Sequence, residues 1–388
     1  MDELRVGHGR IDITPPLGCR MMGYGSRKEG AKEVHDPLTA SAVWLTDGWQ
    51  RVVLVAYDLA SFDEEVVDEL RAAVRAATGL ADHEMVFNTS HTHAGPLVAR
   101  REGMPLNWEY VQTLADRTAQ VACAARDDAR PARLRVGLAP VDIGVNRRER
   151  QPDGTFRLGV NPDGPILREL ALWVFDREDA DAVGVFSIPM HGTTMGASNL
   201  ALSAEWMGFA RTFAEQALPG TKLVFLQGCG ADQNPYRHPS DFAQVEEHGR
   251  TAAAALVQAW QSTRPVAGVP LRVASRVCAG PLEDGDAWPI PVVGVRVGDA
   301  VLVGMGGEAV VEYAFHARAH SPAASTIALG YTNGSVGYLP TVQILEEGGY
   351  EATANRYFKV GRCWRPEIEE ILKDEISTTL AELMESQP

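Results

Sequence analysis

The stretch VFNTSHTHAGP, residues 86 to 96, decides how this chain is read. An apolar, β-prone run ends in two histidines one residue apart, and Ala-Gly-Pro follows at once. Upstream, SFDEEVVDELRAAVRAATG (61–79) sets Val66, Leu70, Val74 and Ala77 on one helical face. Ser61 with Glu64 three residues on has the form of a capping box, and Gly79 sits where a helix-ending glycine belongs. Earlier still, TASAVWLTDGWQRVVLVAYDLA (39–60) reads as two strands joined at Asp47-Gly48, a hairpin dipeptide. Strand, helix and the strand 85–90 form a βαβ unit, which predicts that His91 and His93 lie at the carboxyl end of a strand, where layered α/β folds place their sites. Histidine is the commonest metal ligand. The pair by itself leaves a metal site and a polar loop equally open.

Further along, 108–129 reads as a helix, 134–146 as extended chain, and 169–190 as a hairpin turning at Asp176 to Asp181. A helix near 205–217, the strand 222–228, a helix at 241–261 and strands to about 311 follow. The final amphipathic helix has Pro366 at its first turn. With no repeat, low-complexity tract or linker, a single domain over 1–388 is expected: α/β, with layered mixed β-sheets flanked by helices.

The 388 residues are 45% hydrophobic and 22% charged, the balance of a globular protein. A formal net charge of −15 argues against a nucleic-acid partner, because such binding rests on cationic neutralisation of phosphate. The opening MDELRVGHGRIDITPP has no apolar core of a secretory signal, and no window is apolar enough for a membrane span. The five cysteines, Cys19, Cys123, Cys229, Cys278 and Cys363, form no CxxC pair and read as reduced thiols. A cytoplasmic protein acting on a small molecule, without a stable membrane anchor, is expected; homo-oligomerisation is not legible.

Other chemistry-bearing residues sit at apolar strand exits beside glycine. His191 follows VFSIPM, Glu308 follows VLVGMGG, and Tyr338 lies in the glycine-rich LGYTNGSVGYLPT. Taken singly, each has an ordinary reading: a polar strand cap, a first-turn helix carboxylate favoured by the dipole, a loop aromatic. Together, two histidines and a carboxylate from separate strand ends suit a zinc site that keeps a position open for water or substrate.

The ordered set DITPPLG (12–18), HDPL (35–38), NTSHTHAGP (88–96), VNRRE (145–149), HGTTM (191–195), SAEWMG (203–208), GADQNP (230–235), GGE (306–308) and GYLPT through GYE (337–351) resembles the neutral ceramidase superfamily, in its zinc-dependent amidase domain. The resemblance spans nearly the whole chain. It implies zinc held by His91, His191, Glu308 and Tyr338. It further implies that His93, Arg147 and Tyr350, twelve residues beyond Tyr338, line the substrate position. Such a set implies attack of metal-activated water on an amide-type bond (N-acyl or lactam) or an ester or lactone, with the oxyanion met by fixed donors.

Two departures limit what the resemblance implies. The family's GDVSPN block, whose serine has been assigned a nucleophilic or substrate-orienting role, matches here with Asp232 on the aspartate and Asn234 on the serine. Asparagine is no acyl acceptor at neutral pH, so Asn234 is at most a hydrogen-bonding group. The chain also stops one helix beyond GYEA, without the family's C-terminal immunoglobulin-like domain, which points away from a secreted sphingolipid hydrolase and toward a compact substrate. Glu205, Asp232 and His93 are the candidates for general base, with His93 first, because a carboxylate beside a metal has its basicity pulled down. A TIM-barrel amidohydrolase also begins with HxH, but the hairpins break the required βα alternation. A non-catalytic zinc-binding member of the fold is the rival reading, and the retained His93, Arg147 and Tyr350 speak against it.

Overall fold

The computed structural model describes residues 3–100, 105–237 and 240–385. Strands β1 (Arg5–Asp12), β2 (Thr39–Thr46) and β3 (Arg51–Tyr57) pair antiparallel, with a four-residue turn at 47–50 in which the Asp47 carboxylate accepts the N–H groups of Trp49 and Gln50. Helix α1 (Glu64–Thr78) returns the chain to β4 (Met85–Thr89), parallel to β3 with Met85 opposite Val53. The expected βαβ unit is present, and Gly79 ends α1 in the left-handed conformation at φ 73°. Its beginning differs from the capping box expected at Ser61. The N-cap is Asp63, whose side chain does not cap the helix but receives the Arg100 N–H. Ser61 is buried with its hydroxyl toward the Met22 sulfur, and Glu64 pairs with Lys359 at 2.6 Å. Tertiary partners have drawn away both halves of the local motif.

Next come α2 (Trp108–Asp127), β5 (Arg130–Pro140), β6 (Gly144–Arg150), β7 (Phe156–Asn161), β8 (Glu169–Arg177) and β9 (Ala182–Ile188). The stretch 134–146, expected as one extended run, is divided between β5 and β6, and β6 leaves the main sheet to pair with β7 and a later strand. Then α3 (Glu205–Ala217), β10 (Thr221–Gln227), β11 (Gln233–Pro235) and α4 (Phe242–Gln261) follow. The remainder supplies β12 (Leu271–Pro281), β13 (Ala287–Val297), β14 (Ala300–Met305), β15 (Glu308–Ala309), α5 (Val311–His320), β16 (Ser325–Leu329), β17 (Tyr338–Leu339) and, after short helical turns, α6 (Ile368–Met384).

The main sheet runs β10-β9-β8-β5-β1-β2-β3-β4, with Arg264–Val266 also on β5. A second sheet runs β12-β13-β14-β16. Alternation along the strands sorts side chains into layers. From β3, Val53 and Val55 meet Val66 and Leu70 of α1 and Val111 of α2, while Val52 and Leu54 point the other way. Helices α3 and α4 cover the β8–β10 half through Trp206, Ala210 and Leu256. Between the sheets, Leu54, Val86, Trp173 and Val185 pack on Val293, Val295, Leu302 and Ile327. Val292 and Val303 face outward from the second sheet, onto Tyr313 of α5 and Leu372 and Ile376 of α6. The result is helix, sheet, sheet, helix.

The main sheet is curled enough that its two edge strands approach each other. Asn88, fully buried at the end of β4, accepts the Gln227 N–H of β10 at 2.7 Å and donates to the Gly330 carbonyl at 2.8 Å. Strand exits at opposite edges are thereby brought side by side. Removing this carboxamide leaves the buried Gln227 N–H unpaired, worth about 1–3 kcal/mol, and takes one of two donors from the Gly330 carbonyl, which keeps the Thr332 hydroxyl at 2.8 Å. Asn88→Ala should therefore cost about 2 kcal/mol or more in urea unfolding, against less than about 0.5 kcal/mol for Gly25→Ala, where an added Cβ meets nothing within 4 Å. A loss below about 1 kcal/mol would show that the edges are held together by other contacts.

Candidate metal centre and active site

His91 leaves the end of β4 and His191 the end of β9, so each belongs to a parallel βαβ pair. The two exits touch through a parallel bridge between Thr92 and Gly192. A Cβ on Gly192 would stand 2.9 Å from the Thr92 Cα and 3.0 Å from the His91 carbonyl oxygen, so this approach requires glycine. Glu308 and Tyr338 are register partners on the short parallel pair β15 and β17. Glu308, read from sequence as a possible first-turn helix carboxylate, stands on β15 ahead of α5.

Hydrogen bonding fixes which imidazole nitrogens face the centre. His91 Nδ1 donates to the Ala60 carbonyl at 2.7 Å, and His191 Nδ1 to the Gly230 carbonyl at 2.7 Å. Both Nε2 atoms therefore carry lone pairs. They lie 3.3 and 3.7 Å from Glu308 Oε2, an oxygen that is itself buried without a hydrogen-bond partner. Arg147 Nη1 reaches the His191 nitrogen at 3.0 Å while the Glu308 oxygen has no donor, and such a convergence of lone pairs is an arrangement that a cation resolves. His93 Nε2 lies 3.0 Å from His91 Nε2, and one ring nitrogen from each of His91, His93 and His191 falls within 4.8 Å of the others. By position, His93 is thus as able to ligate as the other two. The whole set suits zinc or another divalent ion.

Burial works against ionisation of Glu308, and only positive charge facing it from the imidazole cluster, the charge a bound cation would supply, holds it well below the usual carboxylate range. Burial, with Arg147 beside it, pulls His191 down to about 3, so its ring is neutral. The backbone is held in unusual states here: His91, Glu205, Tyr331 and Asn333 have φ of 61°, 56°, 53° and 55°. Left-handed conformations in non-glycine residues cost about 1–3 kcal/mol each and persist where surroundings over-determine them, often at functional sites.

Arg147, expected beside the substrate, is 3% exposed and stands behind the cavity wall. Its Nε donates to Glu351 at 2.8 Å, its Nη2 to the Tyr338 hydroxyl at 2.9 Å and its Nη1 to His191 Nε2 at 3.0 Å. A metal at His191 must take that nitrogen from Arg147. Tyr350 is half-exposed, its ring 5.4 Å from that of Tyr338. Asn234 Oδ1 lies 3.4 Å from both Arg147 Nη1 and the Thr193 hydroxyl. Asp232 and Glu205 do not line the cavity. The Asp232 carboxylate takes the Asn146 amide at 2.9 Å and the Val311 N–H at 3.1 Å, and Glu205 takes the Met195 N–H at 3.0 Å. Burial raises both carboxyl groups, Asp232 further through nearby Glu312.

Over this centre opens a cavity of about 340 Å³, lined among others by His91, His93, Glu308, Tyr338 and Tyr350 and by apolar Met21, Met22, Leu97 and Phe358. Gly23 permits it: a Cβ there would stand 2.4 Å from His93 Cγ. Sequence reading missed Glu351, which binds both Arg147 and Arg148, and Tyr331, whose ring lies 4.3 Å from His91 with its hydroxyl buried and unpartnered. Glu351 directly follows Tyr350 in GYE and was within reach, whereas nothing local marks Tyr331.

Fold and site together define a layered α/β protein with a buried cluster of strand-end histidines fit to hold a metal ion. Residues 4–259 match the family described as neutral/alkaline non-lysosomal ceramidase, N-terminal, and the chain belongs to that family. A neutral ceramidase of Mycobacterium tuberculosis is 24% identical over 242 residues, which cover 57% of this chain and 37% of that protein. The chain thus aligns with little over a third of that relative's length. The crystal structure of neutral ceramidase from Pseudomonas aeruginosa superposes with a TM-score of 0.81 at 18% identity, covering 99% of this chain and 75% of that one. A ceramidase complexed with C2 gives 0.83 at 17% identity, covering 98% and 75%.

Elemental mass spectrometry of purified protein should find a single divalent ion per chain, lost in His91→Ala and in Glu308→Ala and kept in Arg147→Met, which frees His191 Nε2. Wild-type protein that is metal-free and cannot be reconstituted would remove the metal centre from consideration.

Proposed function

We propose that the protein is a metal-dependent hydrolase of an amide bond in a compact N-acyl amine or lactam, and that zinc is the ion. The observation that carries this reading is the convergence of two imidazole lone pairs and the unpartnered Glu308 oxygen at the floor of a cavity. His91, His191 and Glu308 would hold the ion, with Tyr338 completing the set. When bound, such an ion polarises a carbonyl and makes a coordinated water acidic near neutral pH. Family membership supports the amide bond; the comparisons give no support for esters or lactones.

The chain's own groups have separable roles in this reading. His93 lines the cavity and is the group placed to hold or move a proton at Nε2. Tyr338, as a ligand, would turn its oxygen to the ion, and Arg147 Nη2 donates to that same oxygen and fixes its place. Burial opposes the charge on Arg147, but Tyr338 and Glu351 hold it well above its ordinary value, so this donor is permanent. Asn234, at the place of the family's serine, has no nucleophile to offer and stays at hydrogen-bonding distance of Arg147. Asp232 and Glu205, already engaged by backbone N–H groups, position the Arg147 strand and the loop at 192–195.

Cavity size favours a small substrate. Small-molecule pockets run from about 300 to 1,000 Å³, and this one, at about 340 Å³, lies near the lower bound. Ligands spread from His91 to Tyr338 support one catalytic unit over 1–388. The five free cysteines fit a reducing, cytoplasmic setting, and no helix among the described residues is long and apolar enough to cross a membrane.

Release of hexanoate from N-hexanoyl anilides, assayed with zinc restored after chelation, tests the proposal. Wild-type protein should turn over, chelation should stop it, and Arg147→Met should fall by about 10²–10³ in kcat. Metal-loaded protein that binds such amides without any turnover would favour the rival, a ligand-binding member of the fold.

A further inference from the structure

The well-buried arginines of this chain are generally matched with carboxylates: Arg147 and Arg148 with Glu351, Arg177 with Asp128, Arg211 with Asp58. Arg27, only 8% exposed, is not: it makes no ion pair among the described residues, and its Nε is buried without a partner. Its Nη1 donates instead to two carbonyls, those of Met22 at 2.9 Å and His93 at 3.1 Å, and its Nη2 reaches the Gly196 carbonyl at 3.5 Å. The guanidinium carbon lies 5.1 Å from the centre of the Tyr24 ring, within cation–π range. A buried cation without a counter-ion is costly, and the compensation here comes from backbone carbonyls and one aromatic face.

Those carbonyls belong to three segments that meet at the candidate metal centre. Met22 lies on the stretch 21–25, which forms one wall of the cavity; His93 lines the same cavity; Gly196 ends the loop that carries His191. Backbone bonds lay the first segment along the second: Met22 N–H to the Gly95 carbonyl at 2.9 Å, Leu97 N–H to the Arg20 carbonyl at 2.8 Å, and a bridge between Met21 and Pro96. They stop short of residue 93, and Arg27 supplies the tie there. The His93 ring also differs from its neighbours. His91 and His191 are each oriented by an Nδ1 bond to a carbonyl, whereas His93 Nδ1 is buried without a partner. Its orientation is left to packing: the Tyr24 ring stands edge-on at 5.0 Å, and Gly23 is so close that a Cβ would meet His93 Cγ at 2.4 Å. Arg27 holds both sides of that contact, Met22 and Tyr24 on the wall and the carbonyl of His93 itself.

We infer that Arg27 is the positioning residue of His93, clasping the 21–25 wall to the HTH loop so that the imidazole is aimed into the cavity. Arg27 is not among the residues lining the cavity and acts only through the groups it holds. The catalytic side of the inference rests on the amide-hydrolase reading, in which His93 holds or moves a proton. A group in that role must keep its place closely, since a displacement of about 1 Å can cost about 10²-fold in rate.

The test compares zinc-loaded wild type, Arg27→Met and Arg27→Lys. Arg27→Met removes every donor, yet it should keep its metal, because His91, His191 and Glu308 are untouched. On N-hexanoyl anilides its kcat should fall by about 10- to 100-fold, with a smaller change in KM, and Arg27→Lys should lie between the two. A metal-loaded Arg27→Met with kcat within about 2-fold of wild type, whatever its melting temperature, makes the arginine merely structural and overturns the inference. So does loss of the metal from Arg27→Met, which would place the effect on the ligands. Imidazole NMR reads the ring without turnover, with His93→Gln assigning its signals. The His93 signals should shift or broaden in Arg27→Met while those of His91 and His191 stay in place; unchanged His93 signals overturn the inference. If wild type cleaves no amide, the amide-hydrolase reading fails, and the NMR comparison alone decides the positioning. If Arg27→Met does not fold, Arg27→Lys is judged by the same two readouts.

Discussion

The carboxamide of Asn88 joins three segments that are remote in sequence: β4, which leads to His91; β10, which lies parallel to the strand leading to His191; and the 330 region, which leads to Tyr338. An open twisted sheet would hold its edge strands far apart. Here the edges meet, and the bond is made in the fully buried interior, where an unmade one is expensive. The positions of the candidate ligands are consequences of this closure. Parallel pairing at both edges points the two strand exits the same way, and the Thr92 to Gly192 bridge then brings the His91 and His191 imidazoles together, ring centres 4.6 Å apart and nearly perpendicular.

A second feature is the division between groups that face the cavity and groups that hold them. Glu351 anchors Arg147 and Arg148, Arg147 anchors Tyr338, and Asn355 and Trp364 bond the Tyr338 backbone. The chain of contacts ends at a hydroxyl on the cavity wall. Arg147 therefore reaches the cavity only through Tyr338. Preorganised donors of this sort need no rearrangement when charge develops nearby.

Much of this was legible. Period-2 and helical patterns located the βαβ unit at 51–89, and strand exits beside glycine picked out His91, His191 and Glu308 before any coordinates. What the sequence hid was long-range. Nothing near Ser61 says that Lys359 will take Glu64, so the local capping box failed. Asn88 looks like any polar residue at a strand end until Gln227 is beside it. The motif blocks suggested that Asp232 and Glu205 belonged near the reacting centre, but only the fold shows their carboxylates turned to backbone N–H groups. Tyr331 escaped notice because its role depends on a left-handed backbone that delivers the ring onto His91.

Spreading the candidate ligands over positions 91, 191, 308 and 338 also has a kinetic meaning. During synthesis, no emerging segment holds more than a fragment of the set, and the last candidate ligand, at position 338, emerges long after the first, at position 91. Contacts this distant along the chain form late and slowly. The polypeptide must therefore reach its folded shape before an ion has a complete nest to enter, and the route inward is the mouth of the finished cavity. A stray ion captured early by His91 and His93 alone would be held by two neighbours on one loop and could be surrendered as the remaining strands close.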